Sequence, residues 1–136
     1  MQVNLANYYY DNLTSIYQRI KKLEGIINTV FMPDGLDTPS LEVNPMPTQI
    51  LNRSAYLWTL GCMRQLQDVI DWLVGTFNGY NLVDFTTGES TAKVNLWKPN
   101  SLMINDNYWQ QLQNNFDRVN KLLDQLEKYA EPYVKG

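Results

Sequence analysis

Apolar residues near the start of the chain recur at alternating steps of four and three. This spacing is typical of a helix with one narrow apolar face. Polar side chains occupy the opposite face, and Asn4 is a suitable N-cap residue. The pattern predicts a first helix over residues 5–31. Its apolar face consists of Tyr9, Leu13, Ile16, Ile20, Leu23, Ile27 and Val30.

A second helix is predicted over residues 48–78, with Thr48 as N-cap and Asn78-Gly79 as the stop signal. Its apolar positions fall on two lines that together span about half of the helix circumference at roughly 100° per residue. The first line contains Met63, Leu66, Ile70, Leu73 and Phe77, and the second contains Trp58, Cys62, Val69 and Trp72. Such a broad apolar face indicates a helix that is either central in its own domain or partly covered by another chain.

A third helix is predicted over residues 105–131, because its apolar positions again step by three and four. Asn105-Asp106-Asn107 offers capping oxygens at its start, and Pro132 is a stop signal. The apolar positions are Trp109, Leu112, Phe116, Val119, Leu123, Leu126 and Ala130.

The segment from 80 to 100 has a different pattern. Two runs of β-favouring residues, Leu82–Thr86 and Ala92–Trp97, flank the turn signal Thr87-Gly88-Glu89-Ser90. These runs predict a small β-hairpin or an extended arm between helices two and three. Residues 33–47 contain four prolines and predict an irregular connection. The expected fold is therefore a single all-α domain over 1–136, an elongated bundle of three long helices with this arm.

Composition narrows the classes of function. The chain has 136 residues, 44% of them apolar, and a net charge of −3. A mildly acidic chain lacks the excess of Lys and Arg that nucleic-acid binders carry, so no sequence-specific nucleic-acid readout is expected. The apolar run Leu57–Phe77 contains charged residues and predicts no membrane span. With no signal peptide recognisable at the start, the expected location is cytoplasmic or virion-associated.

The residues needed for common catalytic and metal sites are scarce. The chain has no His and a single Cys, Cys62, which we expect to be buried. This composition argues against zinc and haem sites and against His-dependent nucleophiles. The carboxylate pair Asp68 and Asp71 lies on the predicted polar side of helix two, where solvation keeps both charged. All the inward positions assigned from the pattern are apolar. We therefore predict no catalytic residue, no cofactor and no metal.

These observations predict a non-enzymatic structural or protein-interaction subunit of a larger assembly, such as a small phage virion component. The expected partners are other protein chains, in a homo-oligomer or a larger complex. The alternative is a small regulatory binder, such as an antitoxin, an immunity protein or an inhibitor, that occludes a basic partner. The arm and the edge of the broad apolar face are the candidate interface, unless the arm folds back over the two tryptophans of helix two. The candidate residues are Trp58, Trp72, Leu82, Phe85, Val94 and Trp97.

Overall fold

The computed structural model describes residues 5–31, 39, 41, 43, 52–84, 86–99 and 106–134. This part of the chain contains three α-helices: α1 (Leu5–Phe31), α2 (Asn52–Gly79) and α3 (Asp106–Val134). The predicted all-α class is confirmed. The predicted start of the second helix at Thr48 lies outside the described residues.

The predicted apolar faces form one core. Nine residues from the three predicted apolar faces are at most 1% exposed: Leu13, Ile20, Ile27, Leu66, Ile70, Leu73, Phe116, Val119 and Leu123. Cys62 is also buried, as predicted. Val30 was predicted to lie on the apolar face of the first helix but is 37% exposed. A strict seven-residue repeat drifts by about 20° per heptad around a straight α-helix, and Val30 lies three heptads after Tyr9.

Helix α3 ends later than predicted, because it continues through Pro132 to Val134. A proline lacks the backbone N–H, so within the last turn it removes one intrahelical hydrogen bond. Tyr133 is half-buried and packs against the core. This contact stabilises the final turn beyond the proline.

The three helices run in the same direction. Tyr9, near the start of α1, stacks on Trp109, near the start of α3, with ring centroids 5.4 Å apart. Further along, the Arg19 guanidinium of α1 donates to Glu127 of α3 at 2.8 Å. Successive residues of α2 likewise contact successive residues of α3. Its Thr59 is hydrogen-bonded to Tyr108, and its Met63 contacts the Asn115 side chain.

Parallel helices require connections that return along the whole length of the helices. A helix of 27–29 residues is about 40 Å long, so an extended return needs roughly 12 residues. The segment after α2 makes this return, since Asp84 pairs with Lys128 late in α3, whereas Trp97 packs on Tyr108 near its start. Between α1 and α2, Leu41 and Val43 pack against the core.

Residues 80–99, called the arm below, contain no β-strand among their described members, so the predicted hairpin is not confirmed. The predicted turn is present. The Gly88 N–H donates to the Asp84 carbonyl at 2.8 Å, and the Asp84 N–H donates to the Glu89 carbonyl at 2.9 Å. Gly88 has a φ of 75°, a conformation that costs glycine little.

The junction between α2 and the arm is closed by a residue in the left-handed region. Asn81 has a φ of 57°, and the following Leu82 N–H donates to the Phe77 carbonyl at 2.9 Å. This pairing is typical of a helix C-terminus of the Schellman type, in which an apolar residue after the cap packs back on the helix. Leu82 accordingly lies in the core, at 1% exposure.

Candidate functional site

The arm is held on α2 by a glutamine side chain. The Gln67 amide nitrogen donates to the Val94 carbonyl at 2.8 Å, and its oxygen accepts from the Leu96 N–H at 2.7 Å. The Gln67 amide thus pairs with one carbonyl and one N–H of the arm, as the backbone of a neighbouring strand would. The same nitrogen also donates to the Asp71 carboxylate at 2.9 Å. Both polar atoms of the Gln67 side chain therefore have hydrogen-bond partners, as a residue that is only 9% exposed requires.

An asparagine of α3 holds the next residue of the arm. The Asn115 side-chain oxygen accepts from the Trp97 N–H at 2.9 Å, and its nitrogen donates to the Trp97 carbonyl at 2.7 Å. Asn115 is completely buried. The polar backbone groups of Val94 and Leu96 thus face α2, whereas those of Trp97 face α3. This alternation is typical of an extended chain that lies between two helices.

These buried polar side chains correct the expectation that all inward positions are apolar. Thr59, Gln67 and Asn115 are at most 9% exposed, and each has a hydrogen-bond partner. A signal for one of them was present in the sequence. Asn115 lies three residues after Leu112 and four before Val119, which is the spacing of a core position.

An aromatic cluster lies at the end of the bundle where α1 and α3 begin. Trp97 meets Tyr108 edge to face, with ring centroids 5.3 Å apart, and the Tyr108 hydroxyl is hydrogen-bonded to Thr59. Burial raises the pKa of the Tyr108 phenol above its ordinary value, and burial likewise raises the pKa of Tyr9. In both residues, burial favours the neutral phenol.

Four of the six predicted interface residues are half-buried against the core: Trp58, Trp72, Val94 and Trp97. Leu82 is buried, so it presents no surface to another chain in this conformation. Phe85 lies outside the described residues. The arm packs against the core through Val94 and Trp97, which agrees with the alternative expectation that the arm folds back. Of the carboxylate pair on α2, Asp68 is exposed as predicted, whereas Asp71 is half-buried and accepts a hydrogen bond from Gln67.

A groove of about 430 Å³ opens where the arm separates from α3. Val94 and Leu122 supply apolar surface, and three cationic side chains also line the groove: Lys93, Arg118 and Lys121. All three cationic residues are exposed. Within the part of the chain that the structure describes, no carboxylate lies within ion-pair distance of them. The groove can therefore accept an anionic group beside an apolar one.

Several cations outside the groove have carboxylate partners. The Arg19 guanidinium of α1 contacts Asp124 and donates to Glu127 at 2.8 Å, and both carboxylates belong to α3. The hydrogen bond to Glu127 is the main cause of a raised pKa of Arg19. Lys128 lies 3.6 Å from the Asp84 carboxylate. The three cations of the groove differ from these in lacking a described carboxylate partner.

Over the described residues, none of the helices has a stretch that is both long and apolar enough to cross a membrane. Comparison of the chain with protein-family models, with curated proteins and with solved structures finds no match.

Proposed function

We propose that this protein is a non-enzymatic subunit that presents surface to another protein chain within a larger assembly. The observation that carries the proposal is the groove between the arm and α3. It combines apolar surface from Val94 and Leu122 with three cations that have no described carboxylate partner. Contact sites on proteins commonly have an apolar centre with polar groups around it.

Two further features support an interaction role. Trp72 of α2 packs against the core but is only half-buried, so part of its ring stays accessible. Tryptophan is among the residues that contribute most at protein contact sites. The β-favouring sequence of the arm also suits pairing with an extended segment of a partner, in which the arm would take on the strand or hairpin form that its pattern predicts.

The alternative of a regulatory binder that occludes a basic partner has less support. The groove is itself cationic, so it would repel a basic surface. A small viral structural protein remains our preferred form of assembly subunit, with an elongated bundle exposing one long side to neighbouring copies.

The test is size-exclusion chromatography with multi-angle light scattering on the wild-type protein and on Trp72→Ala. We expect a concentration-dependent oligomer that Trp72→Ala weakens while its helical circular dichroism is retained. Tyr8→Ala is the matched control, because Tyr8 is a 41% exposed aromatic residue on α1. A wild-type monomer at all concentrations would favour the binder. If Trp72→Ala instead destabilises the fold by about 3–5 kcal/mol without changing association, the ring is a core residue and that face is not the interface.

A further inference from the structure

We propose that the groove between the arm and α3 binds an extended acidic segment of a partner protein, with carboxylates on the cations and an apolar side chain between them. This inference rests on the proposed function and specifies the chemistry of the partner. It is carried by charge complementarity, because the eight described residues that line the groove include three cations and no carboxylate.

The charge of the groove is opposite to that of the chain. The protein carries a net charge of −3, yet three of its eleven Lys and Arg residues line this one opening. Lys93 comes from the arm, whereas Arg118 and Lys121 lie one turn apart on α3. Like charges gathered at one opening repel one another, and a bound carboxylate relieves that repulsion.

The position of the groove is fixed by neighbouring contacts. Gln67 holds the Val94 carbonyl at 2.8 Å, so the arm backbone beside the opening is tied to α2. Arg118 also donates to the Asn95 carbonyl at 3.4 Å, which joins α3 to the arm. The guanidinium has five N–H donors, so most of its donors remain available for a carboxylate. A site whose walls are held in place loses less entropy on binding.

A nucleic acid fits the groove less well than an acidic peptide. Proteins that bind single strands combine cations with aromatic rings on which bases stack, and none of the described residues that line this groove is aromatic. Non-specific duplex binders neutralise more phosphates than three cations allow. The apolar side chains Val94 and Leu122 instead favour a segment with an apolar residue among its carboxylates.

The experiment is a fluorescence anisotropy titration of the full chain with a fluorescein-labelled peptide, Gly-Glu-Glu-Leu-Glu-Glu-Gly, in low salt. We expect saturable binding that weakens as salt is raised, since exposed ion pairs are screened. The variant Lys93→Gln/Arg118→Gln/Lys121→Gln should weaken binding by about 10-fold, because each exposed ion pair contributes modestly. The control variant Lys22→Gln/Arg64→Gln/Lys98→Gln removes three exposed cations elsewhere, so its net charge equals that of the groove variant. It should bind like the wild-type protein.

Two further probes complete the test: the same peptide with Gln in place of Glu, and a labelled thymidine oligonucleotide. We expect weaker binding of both. Absence of peptide binding, equal loss in the two triple variants, or tighter groove-dependent binding of the oligonucleotide would each overturn the inference. Light scattering tests the proposed function without the peptide. If the protein forms an oligomer but does not bind the acidic peptide, only the acidic partner segment is refuted and the proposed function is not.

Discussion

At the residue scale, buried side-chain amides take the place of a second strand. The arm has no β-partner among the described residues, yet its backbone groups at Val94, Leu96 and Trp97 are paired by Gln67 and Asn115. Buried backbone groups need such partners, because leaving one unpaired costs about 1–3 kcal/mol. The sequence is rich in Asn and Gln, and two of these residues determine where the arm lies.

Replacing Asn115 should therefore release the arm at Trp97. We expect Asn115→Ala to lower the free energy of unfolding by about 1–3 kcal/mol, because it removes the partners of the Trp97 N–H and carbonyl. Urea denaturation followed by circular dichroism measures the loss. The control is Asn114→Ala, since the neighbouring Asn114 accepts an exposed hydrogen bond from Gln110. Its cost should stay within about 0.5 kcal/mol. Equal effects of the two variants would contradict the role assigned to Asn115.

The turn of the arm should respond to pH through Asp84. The backbone N–H groups of Thr87 and Thr86 donate to its carboxylate and hold the pKa of Asp84 below its ordinary value, with a further contribution from Lys128. A lowered pKa means that folding favours the charged form. The stabilisation is therefore complete above the unfolded pKa of about 3.9 and is lost as pH falls through the lower folded pKa.

Asp84→Asn tests this assignment, because an amide oxygen still accepts from the turn but does not titrate in this range. Between about pH 5 and pH 2.5, the urea midpoint of the wild-type protein should fall further than that of Asp84→Asn. The comparison uses the difference between the two proteins, which removes the contribution of the other carboxylates. Parallel curves for the two proteins would show that the turn carboxylate contributes nothing to the acid response.

At the element scale, the helices could be predicted and the arm only in part. Each helix has a repeating apolar face that local spacing reveals, and the deepest positions, such as Leu66 and Phe116, are completely buried. The arm has the composition of a strand, but strand formation depends on a partner strand that sequence spacing does not specify. Here Gln67 and Asn115 satisfy the backbone instead, so an extended segment forms without a hairpin.

The core faces make a direct prediction for stability. Ile70→Ala and Leu123→Ala should each cost about 2–5 kcal/mol, because both side chains are completely buried and leave cavities in a shared core. Thermal and urea denaturation measure the effect. Leu57→Ala is the matched control on α2, since Leu57 is 53% exposed. A cost below about 0.5 kcal/mol at both buried sites, the range of ordinary surface changes, would show that the faces are misassigned.

At the scale of the whole molecule, neither the common direction of the helices nor the groove follows from local patterns. The apolar faces of three helices are compatible with parallel and antiparallel packing alike. The long connections permit the parallel arrangement without requiring it. The groove joins Lys93 of the arm to Arg118 and Lys121 of α3, so it exists only once the arm has returned along the bundle. The sequence analysis predicted Val94 of the arm as an interface residue, but it did not predict any of the three cations of the groove.

The parallel arrangement can be tested with pairs of spin labels at exposed positions, in a Cys62→Ala background that removes the single native thiol. Asp11 lies near the start of α1, Gln110 near the start of α3 and Lys128 near its end, and all three are exposed. Residues 110 and 128 are about 27 Å apart along the helix at 1.5 Å per residue. We therefore expect double electron–electron resonance to give a clearly shorter distance for the pair Asp11→Cys/Gln110→Cys than for Asp11→Cys/Lys128→Cys. The pair Gln110→Cys/Lys128→Cys calibrates the length of α3 itself. The reverse order of the first two distances would mean that α1 and α3 are antiparallel, and the return path of the arm, with the groove beside it, would then be wrong.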